Sequence, residues 1–175
     1  MTDNKQLQQL DQEREQLEAR IQDKRAALEI AIADRAALVQ KSLDQGGDLA
    51  LEFARHDAAV GLIQAEIAML TRRRVEAIRE YYALMVRNAR AALDERRRVN
   101  RELVNELEAM RVQQRRANNG GLAMTRDERI EFEAQLAALD RRVQFSAADL
   151  RRAQMDVERA EIQAEKQAGA LSLAS

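Results

Sequence analysis

Hydrophobic residues recur along this chain at alternating steps of three and four, the spacing that gathers side chains on one face of a helix. In the first segment the stripe is Leu7, Leu10, Leu17, Ile21, Leu28, Ile32, Val39 and Leu43. Lys5, Gln12, Gln16, Asp23, Asp34 and Lys41 fall roughly opposite, so that face is wet. Arg14 and the pair Lys24-Arg25 interrupt the stripe, and their long aliphatic stems can lie along a seam with the charge in water. The pattern predicts a helix over about 4–44. It ends at Gln45-Gly46-Gly47-Asp48, where two glycines stop the helix and Asp48 suits the free N–H groups of the next.

The second segment, about 48–117, has one internal glycine, Gly61, and no loop-like cluster. Its stripe is Leu49, Phe53, Val60, Ile63, Ile67, Leu70, Val75, Ile78, Tyr81, Tyr82, Met85, Ala89, Leu93, Val99, Leu103, Leu107 and Met110. Extra apolar residues at Leu51, Ala59, Leu62, Ala77, Leu84 and Val86 widen it, most clearly through the middle. A wider stripe implies contact with two neighbours there. Gly61 fits two readings, a point of close approach for the first helix or a tolerated surface glycine. A helix of this length spans roughly 100 Å.

Asn118-Asn119-Gly120-Gly121 is the strongest turn signal. Thr125 followed by Glu128 has the spacing of a capping box. A third helix is therefore predicted over about 125–167, with Phe132, Leu136, Leu139, Val143, Ala147, Leu150, Ala153 or Gln154, Val157, Ala160 and Ala164 on its stripe. The small, apolar tail from Ala168 to Ser175 is expected to fray or to dock on a partner.

The fold class that follows is all-α: three long antiparallel helices forming an elongated coiled-coil bundle, one domain over 1–175, with helix 2 spanning its full length. Tight turns set the register. Helices 1 and 2 face each other where residue numbers total roughly 93, helices 2 and 3 where they total roughly 239. All three helices then overlap only near residues 74–90. There Ile78, Tyr81, Tyr82 and Met85 face Leu7 to Glu15 and Met155 to Ile162, with two-helix arms beyond. Such arms bury little surface, so a homo-oligomer, a dimer or larger, or a helical protein partner is expected to cover them.

Composition supports this picture. Proline and cysteine are absent and aromatics are 3% of residues. Charged residues are 34%, which would suit disorder, but hydrophobic residues reach 46% at helical spacing and argue against it. Without cysteine there is no disulfide, thiolate metal site or cysteine nucleophile. No apolar run approaches ~18 residues, and the start MTDNKQLQQLDQ lacks the basic lead and apolar core of a signal peptide. A cytoplasmic location is the expectation.

Catalytic chemistry finds little to stand on. His56, the one histidine, reads as a seam residue near an arm tip. Glu76 with Glu80, and Glu102 with Glu106, have basic neighbours and the spacing of solvated helix faces. None of Ser42, Ser146, Ser172 and Ser175 has a plausible activating histidine. No glycine-rich phosphate loop is present. The chain is expected to be no enzyme and to hold no cofactor or metal.

The sharpest local features are Arg72-Arg73-Arg74 and Arg96-Arg97-Arg98. Helix 2 carries 14 basic and 11 acidic residues, so carboxylates of the neighbouring helices are expected to hold these arginines. Arg74 is placed near Glu18 and Glu165, and Arg97 or Arg98 near Asp140. The triplets, with Phe53 at one tip and Leu122 and Met124 at the other, form the candidate interaction surface. The expected function is non-catalytic: a structural, scaffold or adaptor protein acting through helical self-association and protein–protein contacts. A second reading is a protein that binds or shapes an anionic membrane surface by a basic face. The near-balance of 29 basic and 30 acidic residues makes nucleic acid an unfavourable partner.

Overall fold

A computed structural model describes residues 2–45, 49–121 and 123–173. They form a three-helix, all-α bundle: α1 (Thr2–Gln45), α2 (Ala50–Asn118) and α3 (Arg126–Leu173). Helix α2 is unbroken over 69 residues, as the absence of proline and the run of good helix formers require. The Gly46-Gly47-Asp48 break lies outside the described residues. At the start of α2, the Phe53 N–H donates to the Leu49 carbonyl, closing the first turn.

The other break is specified in detail. Gly121 N–H donates to the Arg116 carbonyl, and Gly120 N–H to that of Ala117. These two bonds, with Gly120 at φ +75°, make a Schellman C-cap that satisfies the last carbonyls of α2. Across the turn, the Thr125 N–H and hydroxyl both donate to Glu128 Oε2, at 2.7 and 2.9 Å. The Glu128 N–H donates back to Thr125 Oγ1 at 3.3 Å, completing the predicted capping box.

The chain divides into two compact units. One comprises residues 1–84 with 171–175, and the other residues 85–170. In the first, Leu17, Ile21, Leu70 and Ala77 form the core. Ion pairs Lys24–Glu66, Arg35–Asp57 and Arg74–Glu18 tie α1 to α2 at 2.5, 2.7 and 2.6 Å. Residue numbers rise on one helix as they fall on the other, so the pair is antiparallel and close to the expected register. Tyr81 and Tyr82 are half-buried and meet edge to face with ring centroids 5.2 Å apart. The Arg14 guanidinium lies 5.5 Å from the Tyr81 ring centre, which explains why a basic residue stands on the α1 seam.

In the second unit Leu103, Leu107 and Leu139 are buried, with Val99, Met110, Leu136 and Val143 packed around them. The register of α3 on α2 departs from expectation. Turn residues alone place Asp140 near Arg97 or Arg98, but Arg111 holds it, at 2.9 Å. The connection runs on to Thr125 before α3 begins, so the reversal is centred later than Gly120-Gly121. The pairing slides accordingly, and the reach of arginine extends it further.

The phase of α1 also departs from expectation. Beyond Leu28 the partly buried positions are Ala31, Leu38 and Ser42, with Arg35 reaching Asp57 between them. They continue a strict three-four alternation from Leu17, Ile21 and Lys24. Ile32, Val39 and Leu43 lie one position further round and are 54%, 41% and 74% exposed. The end of α3 differs too. It continues helically to Leu173, and half-buried Leu171 borders a surface depression with Ala68, Thr71 and Val75 of α2. Alanine and leucine favour the helix, and Leu171 extends the stripe of Ala164 and Gln167.

Candidate interaction surface

Neighbouring carboxylates hold most of the two arginine triplets. Arg73 reaches Glu13 and Arg74 reaches Glu18, both on α1, while Arg96 approaches Asp149 on α3. Arg97 and Arg98 are held within α2 instead. Arg97 pairs with Asp94, one turn earlier. Arg98 lies between Glu95 at 2.6 Å and Glu102 at 2.8 Å. Spacings of three and four bring these groups together on one helix face. The Arg98 hydrogen bond holds the Glu95 carboxyl below its usual range, and Glu95 and Glu102 raise the Arg98 guanidinium. Arg72 lines the same depression as Leu171.

On the α1–α2 pair, Arg35 donates from Nε to Asp57 Oδ1 at 2.7 Å and from the guanidinium NH2 to Oδ2 at 3.4 Å. That fork lowers the Asp57 carboxyl and raises the Arg35 guanidinium. Glu128 is held below its usual range by the backbone and hydroxyl donors of Thr125. The ion pairs that join different helices, such as Arg35–Asp57, Arg90–Glu161 and Arg111–Asp140, fix register.

The tip residues divide. Phe53 is half-buried on the α2 seam, so its ring joins the helix pair rather than standing free. Met124 is half-buried beside Phe132 and Glu128 in a 390 Å³ surface depression. Leu122 lies outside the described residues. His56 is a half-buried seam residue whose Nδ1 is buried without a hydrogen-bond partner. Among the described residues no group of three or more His, Asp or Glu side chains could hold a metal ion. No helix there is long and apolar enough to cross a membrane.

The surface that sequence reasoning missed is apolar. Twelve large hydrophobic side chains stand exposed among the described residues. Seven of them fall between residues 30 and 69: Ile30, Ile32, Val39, Leu43, Leu51, Leu62 and Met69. The end of that stretch is poor in charge, with Glu66 alone among the fourteen residues of 58–71. The signal was present in that local drop in charge and in the heptad phase of α1. Gly61 belongs to this surface. A methyl group added there would meet nothing within 4 Å, so it is not where α1 approaches α2. No protein-family model matches the chain, and neither a curated protein nor a solved structure is detectably similar to it.

Proposed function

We propose that this chain is a non-catalytic structural or adaptor protein that acts by offering helical surface to other protein chains, copies of itself included. The observation that carries the reading is the set of exposed apolar side chains between Ile30 and Met69, left outside the seams of a two-helix pair on both of its flanks. Exposed apolar residues concentrated in one part of a fold mark association surfaces.

Heptad spacing supports a coiled-coil description of both helix pairs: Leu17, Ile21, Lys24, Leu28, Ala31, Arg35 and Leu38 on α1, and Leu136, Leu139, Val143, Ser146, Leu150, Ala153 and Val157 on α3. The basic face that a membrane-surface role requires is weakened, because five of the six triplet arginines already have a carboxylate within 4 Å. Flotation with vesicles rich in anionic lipid, at low and at physiological salt, separates the two roles. The proposal expects the chain to stay with the protein fraction at both. Salt-sensitive capture by the vesicles would overturn it in favour of membrane binding.

A further inference from the structure

One flank of the α1–α2 pair forms a second, unfilled helix seat. On α1 the flank carries Ile32, Ala36, Val39 and Leu43, at steps of four, three and four, all exposed. On α2 it carries Ala50, Ala54, Asp57, Gly61, Gln64, Ala68, Thr71 and Val75, again at alternating fours and threes. Half-buried Leu171 of α3 borders a surface depression together with the last part of this α2 stripe, Ala68, Thr71 and Val75. That part of the face already has a helix end beside it. From Gln64 back to Ala50 the same stripe is exposed.

Size and height decide what fits. Arg35 is level with Asp57, and Glu18 with Arg74. Ile32, Val39 and Leu43 are therefore level with Gly61, Ala54 and Ala50. Every large residue on the α1 side of the flank has a small one at its own height on the α2 side. A two-fold rotation about an axis parallel to the helices leaves heights unchanged and brings α1 of one protomer over α2 of the other. Each protomer's Ile32, Val39 and Leu43 then enter the spaces over its partner's Gly61, Ala54 and Ala50. The charged pair in the middle, Arg35–Asp57, neutralises itself within each protomer, so the two equal faces meet without net repulsion.

We infer that a second copy of this chain docks here, the two α1–α2 hairpins pointing the same way and closing a four-helix arrangement by isologous contact. The inference rests on the reading that the chain self-associates and names the surface. Three features favour a copy over a foreign helix: the self-matching sizes, the low charge of the flank, and continuity with the depression that Leu171 borders.

The chain lacks cysteine, so thiols can be placed at will. A Val39→Cys chain is mixed with an Ala54→Cys chain under mild oxidation, and a mixture of Ile30→Cys and Leu62→Cys chains serves as control on the opposite flank. A covalent dimer from the first mixture alone is expected. Adding Gly61→Lys to both chains should lower its yield at least about tenfold, with helicity by circular dichroism unchanged because the new side chain points into open space. Covalent dimer from the control mixture, or none sensitive to Gly61→Lys, overturns this surface while leaving self-association standing. No covalent dimer from either mixture, in a sample whose mass remains that of one chain, overturns both.

Discussion

Ile21 and Ile32 test the phase of α1 directly, because a simple hydrophobic stripe treats them alike and the structure does not. Ile21 is 2% exposed in the core with Leu17, Leu70 and Ala77, whereas Ile32 is 54% exposed. Truncating a buried isoleucine to alanine removes its transfer free energy and leaves a cavity, ~2–5 kcal/mol in a well-packed core. The α1–α2 core is thin, with no side chain in the described chain less than 2% exposed. Water can reach the space left behind, which puts Ile21→Ala near ~2–3 kcal/mol. At Ile32 about half of the side chain is already wet, and full burial of an isoleucine is worth only ~1.5–3 kcal/mol. Alanine also forms helix better than isoleucine by a few tenths of a kcal/mol. Ile32→Ala should therefore cost less than ~1 kcal/mol in the monomer. Urea unfolding followed by circular dichroism, at a concentration low enough to keep the chain monomeric, compares the two variants. Equal losses would refute the phase assigned here and return Ile32, Val39 and Leu43 to the seam.

Thr125→Ala should cost ~1 kcal/mol by removing the N-cap of α3, and Thr125→Ser should recover most of it, both read from urea midpoints. Glu128 has a folded-state pKa below its unfolded value, so its contribution is fully present above the ordinary glutamate range and is lost as pH falls through the lowered value. The stability gap between the native chain and Glu128→Gln should accordingly close on acidification below about pH 4; a constant gap would contradict the carboxylate cap. Leu107→Ala and Leu139→Ala should be non-additive in a double-mutant cycle, since both side chains belong to one core, whereas Leu17→Ala with Leu107→Ala should be additive. Asp57→Asn should lower stability, read from urea midpoints, less at 1 M salt than at 50 mM, because the Arg35 pair it breaks is exposed and screened.

The legible parts of this fold were those where large side chains occupy seams. Every position of the α2 stripe, from Leu49 through Tyr81 to Met110, is at least partly buried. Of the extra apolar residues, Ala77, Leu84 and Val86 in the middle are covered, while Leu51 and Leu62 stand 65% and 69% exposed. The capping box and the Schellman glycine were legible because each depends on local chemistry alone. The α1 stripe slipped beyond Leu28 because Ala31, Arg35 and Ser42 occupy the contact positions, and bulkier Ile32, Val39 and Leu43 stand one residue, about 100°, further round. Local hydrophobicity cannot rank an alanine above an isoleucine; only the helix opposite does that. The slide of α3 on α2 escaped for a related reason, since composition marks a turn at Gly120 without fixing where the next helix starts. For the candidate surface, the arginine triplets drew attention by charge, while the structure commits most of that charge to pairs and leaves the apolar flank open.

The most direct test of the account is the mass of the native chain in solution, by sedimentation equilibrium from low to high micromolar concentration. A chain that works by covering its apolar flank with a copy of itself should approach twice its 19.9 kDa as concentration rises. A mass fixed at 19.9 kDa throughout would contradict it.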